Sequence, residues 1–215
     1  GTATVAADGS YTYTPAGGFS GSDTFQYTAK DSSGQTSTST VTVTVAPKGS
    51  DDAYSVHAGT VLKVNAAEGV LTNDRGSDLT LTGHGQPSHG LVKIGPDGSF
   101  SYGADKGYSG PDTFTYTAKD GSGATVTATV RLTVLPTATA DAATATAGSP
   151  TTGNVLDNAL GTGLTVTGNS TPAHGSATVR PDGSYSYTPA AGFSGTDSFT
   201  YTVTDGSGGT DTVTV

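Results

Sequence analysis

Cysteine, methionine and tryptophan are all missing from this 215-residue chain. Without cysteine there is no disulfide framework, no thiolate metal site and no Cys nucleophile. Charge is sparse: only 13% of residues are Asp, Glu, Lys or Arg, against roughly a quarter in an average globular chain. What charge there is leans acidic, with 9 Lys and Arg against 18 Asp and Glu, a net charge of −9 and a pI of about 4.5. That balance excludes the clustered basic side chains needed to hold nucleic-acid phosphates or to bind an anionic membrane. No apolar run approaches the roughly 18–20 residues that cross a bilayer. Glutamate is nearly absent too, since Glu68 is the one acidic residue that is not Asp. Asp bonds its own neighbouring backbone and favours turns, whereas Glu favours helix interiors. Helix is therefore almost excluded.

What is present is a repeat. Asp97-Gly98-Ser99-Phe100-Ser101-Tyr102 recurs as Asp8-Gly9-Ser10-Tyr11-Thr12-Tyr13 and as Asp182-Gly183-Ser184-Tyr185-Ser186-Tyr187. An aromatic-Ser-Gly-x-Asp-x-Phe-x-Tyr segment follows each copy, at Phe19 to Tyr27, Tyr108 to Tyr116 and Phe193 to Tyr201. The offsets are 89 and 85 residues, longer than a solenoid unit and suited to one small β-domain per repeat. Cut at this period, residues 1–47 are the second half of a unit, 48–136 a complete unit, and 137–215 a unit truncated in its last strand. Gly1 stands where Gly90 stands in the complete unit, so the chain reads as a segment of a longer tandem array.

In the complete unit the spacing predicts strands at 53–56, 61–64, 79–83, 91–94, 99–102, 113–119 and 125–135. Alternation puts Phe114, Tyr116 and Ala118 on one face and Thr115 and Thr117 on the other. Asp-Gly between such runs is a hairpin signal. Antiparallel sandwiches of about seven strands, each with one wet face per sheet, are expected. Short linkers containing Pro47 and Pro136, which cannot donate to a ladder, should place the units end to end.

Several residues invite a functional role. Asp23, Asp112 and Asp197 recur in the Ser-Gly-x-Asp position, and Asp31, Asp120 and Asp205 recur before Gly/Ser turns. Recurrence in every unit points to turn-forming carboxylates rather than catalysis. His89 and His174 occupy equivalent positions in different units, His84 and His89 stand five apart around the Gly85-Gln86-Pro87 turn, and His57 lies on another segment, so a single histidine metal cluster is not expected. Lys63 and Lys93 are the candidates for a Lys–Asn isopeptide bond, but Thr178 replaces Lys93 in the last unit. No Gly-x-Ser-x-Gly or Walker loop is present. Asn169-Ser170-Thr171 matches a glycosylation sequon. Tyr54 and Tyr108 are the candidates for an exposed sugar platform.

Asp52-Ala53-Tyr54-Ser55-Val56, Gly69-Val70-Leu71-Thr72-Asn73-Asp74, Pro87-Ser88-His89-Gly90 and the aromatic-Ser-Gly-x-Asp segments together resemble bacterial immunoglobulin-like, cadherin-like repeats of surface adhesins and other large extracellular proteins. The resemblance covers essentially the whole chain. It implies an extracellular or cell-surface stalk or spacer without catalysis, whose partners are the neighbouring repeats. It also directs attention to calcium at the junctions, near Asp51 and Asp52, with Asp31 or Asp120 approaching from a loop end and Asp141 alone at the next junction. Arg75 in the loop after Asn73-Asp74 departs from the acidic run such repeats often carry. No catalytic, cofactor-binding or metal residue is assigned. Two other readings follow from the half unit and the tyrosines: a fibre subunit completed by strand exchange between copies, or a carbohydrate- or protein-binding module.

Overall fold

The structure is a computed structural model that describes residues 1–215. Apart from one 3-10 turn at Ala66–Glu68, all of its regular structure is β-strand. The half unit contributes β1 (Thr2–Val5), β2 (Tyr11–Thr14), β3 (Gly21–Lys30) and β4 (Thr36–Val45). The complete unit holds the seven expected strands: β5 (Asp52–His57), β6 (Val61–Val64), β7 (Thr80–His84), β8 (Gly90–Ile94), β9 (Phe100–Ala104), β10 (Gly110–Lys119) and β11 (Thr125–Leu135). The last unit holds six: β12 (Thr151–Asn154), β13 (Thr165–Asn169), β14 (Gly175–Val179), β15 (Ser184–Pro189), β16 (Thr200–Thr204) and β17 (Thr210–Thr214).

Two sheets face each other in the complete unit, ordered β5-β11-β10-β7 and β6-β9-β8. All pairs are antiparallel except β5 with β11, which run parallel from Asp52 opposite Val130 to His57 opposite Leu135. Between the sheets lie Val92, Phe100, Tyr102, Phe114, Tyr116, Val130, Leu132 and Val134. The outward register of β10 and β11 carries threonines instead. Thr117 and Thr127 exchange a hydroxyl bond there, as Thr28 and Thr38, and Thr202 and Thr212, do at the matching positions of the other units. The Asp-Gly hairpins turn as expected, with Gly9, Gly98 and Gly183 at φ of 85, 84 and 82°, a region open to glycine at no steric cost.

The last unit has no counterpart of β5. Its matching segment carries Ala143 and Ala145 where the complete unit has Tyr54 and Val56. A groove of about 710 Å³ lies beside this segment, bounded by Ala143, Ala145, Tyr185, Phe193, Phe199 and Val215. The equivalent space in the complete unit is filled by β5 and the end of β11. In the half unit Ser20, Gly21 and Pro47 are the only buried residues, and Tyr11 and Tyr27 face solvent.

One glycine couples two of the repeated motifs. A Cβ on Gly90 would lie 2.5 Å from Gly103 O and 2.8 Å from the Tyr102 ring, and one on Gly175 would lie 2.5 Å from Thr188 O and 2.7 Å from the Tyr187 ring. The tyrosine closing each Asp-Gly-Ser motif thus covers the glycine that opens the preceding strand. Because backbone is among the obstructing atoms, Gly90→Ala is expected to destabilise the complete unit by about 1–3 kcal/mol, the usual range for overpacking. Calorimetry should show that unit's transition falling while that of the last unit holds; an unmoved transition would contradict this packing.

Candidate functional site

The recurring carboxylates are structural bolts. Asp112 lies on the inward register of β10, 4% exposed, within a strand rather than in the turn expected for it. Its Oδ1 accepts the N–H groups of Ser88 and Thr113, and its Oδ2 accepts the His89 N–H and the Tyr102 hydroxyl. It therefore ties β10 in one sheet to β9 in the other and to the loop before β8. The last unit repeats the arrangement, with Asp197 accepting from Ala173, His174, Ser198 and Tyr187. In the half unit Tyr13 donates to Asp23 at 2.6 Å, a bond that lowers the Asp23 carboxyl below its ordinary range. Backbone N–H acceptance is legible from Asp recurrence; the tyrosine across the sandwich is not, because it sits on the opposite sheet.

Asp31, Asp120 and Asp205 do sit in turns. Each directs Oδ1 at the turn that follows: to the Ser33 and Gln35 N–H groups, the Ser122 and Ala124 N–H groups, and the Ser207 and Gly209 N–H groups. A neighbouring serine hydroxyl adds a third bond in every case.

A second polar cluster lies at the other end of the Tyr116 ring. Its hydroxyl is 2.7 Å from Val70 O and 2.9 Å from Asp74 Oδ2, while Ser50 N–H donates to Asp74 Oδ1. Asp52, 9% exposed, leaves Oδ2 buried with no hydrogen-bond partner. Burial, reinforced by the Asp74 carboxylate, pushes the Asp52 carboxyl up to about 6. Burial also raises Asp74, against the bonds it accepts from Ser50 and Tyr116. The adjacent Asp51 turns the other way, accepting the Thr129 N–H and an Arg131 guanidinium N–H at 3.1 Å. In the last unit Asp141 alone meets Tyr201 and Asn158, because Ala159 replaces Asp74. No three His, Asp or Glu side chains converge in a metal-ligating group.

The remaining candidates are dispersed. His57 donates through Nδ1 to Pro136 O, and His84 lies beside Gly85 O. The His89 ring stacks on Tyr108 with centroids 4.1 Å apart, and the His174 ring stacks on Phe193 at 4.4 Å. Lys63 and Lys93 flank Ser101 on the outer face of the β6-β9-β8 sheet, exposed to solvent and away from the core. Asn169 ends β13 with its side-chain amide on Ser170 O. Tyr54 packs edge-on against Phe100 and donates to Glu68 O, and Tyr108 donates to Pro111 O. Both proposed platform tyrosines are thus built into the fold. The groove of the last unit contains two acids, and both Asp141 and Asp197 are engaged by protein donors.

A family model described as a bacterial Ig domain matches residues 45–133 and again 134–215. The chain belongs to the bacterial Ig domain family. A bacterial cadherin-like domain model matches residues 1–47, so both parts of the resemblance seen in the motifs hold. No curated protein matches the chain. Among solved structures, this bacterial Ig array is similar to the human desmocollin-1 ectodomain at 12% identity, over 90% of this chain and 43% of that one, with a TM-score of 0.29. It is also similar to the protocadherin γB4 extracellular domain at 18% identity, over 89% and 38% of the two chains, with a TM-score of 0.30. A glycoside hydrolase family 107 endo-fucoidan hydrolase matches at 18% identity over 78% and 33%, with a TM-score of 0.27. The chain spans a third to under half the length of these solved chains. No helix is long and apolar enough to cross a membrane.

Proposed function

We propose that this chain is part of an extracellular, non-catalytic stalk that holds another domain away from a bacterial surface. The observation that carries the reading is the use to which its ionisable groups are put. In every unit the recurring carboxylates brace the sandwich or its turns, and no side chains converge on a reacting centre. Each of the last two units has its own buried cluster, so repetition lengthens the molecule without deepening any cleft. The partners in this reading are the neighbouring repeats. Net negative charge opposes lateral association of copies.

Small-angle scattering of the purified chain tests the reading. A compact globule of 215 residues has a radius of gyration of about 17 Å; the spacer is expected well above that, with a profile that does not change with concentration. A value near the compact figure would overturn it. Growth into regular filaments under electron microscopy would instead favour strand exchange between copies at the open edge of β4, which pairs only with β3.

A further inference from the structure

The residues buried in the half unit are Ser20, Gly21 and Pro47, all at its contact with the complete unit. Ser20 N–H donates to Ser77 Oγ at 3.1 Å, Ser77 N–H donates back to Ser20 Oγ at 3.0 Å, and the Ser20 hydroxyl donates to Asp120 Oδ2 at 2.6 Å. At the next joint Ser109 N–H donates to Thr162 Oγ1 at 3.2 Å and Thr162 N–H donates back to Ser109 Oγ at 2.9 Å. Here the third bond is not closed: Asp205 Oδ2 is buried without a hydrogen-bond partner. Ser20 and Ser109 are each 4% exposed, Asp120 3% and Asp205 5%.

Each joint has a second component. Lys48 exchanges two backbone bonds with Arg75, and Thr137 exchanges two with Leu160, at 2.7–2.8 Å. The linker is thereby stapled to the unit that follows it. Gly161 makes room for the contact: a Cβ there would lie 3.0 Å from Ser109 Oγ and 3.2 Å from Pro136 Cβ. On the donor side, the stacked His89 ring backs Tyr108, the residue before Ser109.

We propose that the serine of each aromatic-Ser-Gly loop and the Asp-Gly/Ser turn of the following unit form a knuckle and socket that recognises the next repeat and locks its orientation through hydrogen bonds. The socket is built locally, because the Oδ1 of Asp31, Asp120 and Asp205 is held in each turn by two N–H groups and a serine hydroxyl of that same turn. Docking engages the second carboxylate oxygen. The Ser20 hydroxyl, ahead of that of Ser122, holds the Asp120 carboxyl below its ordinary range. At the first joint both oxygens of Asp120 are satisfied by protein donors. The lock is a property of the joint and does not depend on what the array carries.

The chain has no cysteine, so spin labels on Ser37→Cys and Lys93→Cys, both exposed, report the first joint by pulsed electron resonance. The unmodified joint should give one narrow distance distribution, the same with chelator and with millimolar calcium chloride. Ser20→Ala removes the knuckle hydroxyl and spares the bonds within the Asp120 turn. It should broaden the distribution about twofold, as units free to move about a short tether would. Equal widths for the two proteins would overturn the lock, as would narrowing by calcium. Should Ser20→Ala alter the melting transition of the complete unit, Ser109→Ala with labels across the second joint makes the same test. An extended scattering profile with a broad distance distribution would remove the lock and leave the spacer standing.

Discussion

Asp112→Ala is expected to lower the stability of the complete unit by about 3 kcal/mol or more, through loss of the carboxylate that joins its two sheets. The Ser88, His89 and Thr113 N–H groups and the Tyr102 hydroxyl all end on this one side chain. Its removal takes the main acceptor from the buried Tyr102 hydroxyl and the acceptor from three part-buried N–H groups, each costing about 1–3 kcal/mol where water cannot enter. A domain of this size loses roughly 4–8 °C per kcal/mol, so its calorimetric transition should move down by ten degrees or more. Asp112→Asn retains one acceptor oxygen and presents an amide where donors converge, so an intermediate loss is expected. Tyr102→Phe deletes one bond and should cost about 1 kcal/mol. The last unit, braced by its own Asp197, serves as reference within the same scan. A loss under about 1 kcal/mol for Asp112→Ala would show that the bolt is dispensable.

The complete unit is also expected to weaken as pH rises from 5 to 7.5, a direction opposite to ordinary acid denaturation. The cause is Asp52, whose carboxyl sits at about 6 in the fold against an ordinary 3.8. A group raised on folding adds stability that is fully present below its unfolded value and is lost as pH climbs through the folded one. A rise of that size corresponds to a swing in stability on the order of 2–3 kcal/mol. Asp97 and Asp120 are lowered by their serine partners, so their contribution is lost only as pH falls below the ordinary carboxylate range. The stability maximum of this unit should therefore lie between about pH 4 and 6. Asp52→Asn keeps the shape and abolishes the charge. It should match or trail the parent at pH 4.5 and exceed it at pH 7.5, flattening the profile. Parallel profiles for the two proteins would exclude Asp52 as the source. The last unit, with Ala159 in place of Asp74, lacks the facing carboxylate pair.

The seven strands of the complete unit were legible from alternation, and their ends differ from expectation in an instructive way. The pattern begins the β10 strand at Thr113, whereas it starts at Gly110. Gly110, Pro111 and Asp112 have no strand propensity of their own. They are extended because Val134, Thr133 and Leu132 stand opposite them. Recurrence marked the aspartates as structural but gave one role to both sets. Asp120 fills the expected turn role because its partners are two to four residues away. Asp112 escapes it because its partners lie 10 and 24 residues off.

Sequence by itself determined the strands and the Asp-Gly turns, since each depends on neighbours within a few residues. Tertiary structure decided the rest. The parallel docking of β5 on β11, the tyrosine that each strand aspartate receives, the approach of Asp74 to the buried Asp52 and the serine that enters the next unit all join groups distant along the chain. What brings them together is burial: a polar atom taken out of water must find a partner inside the fold, and only the assembled sheets determine which one is within reach.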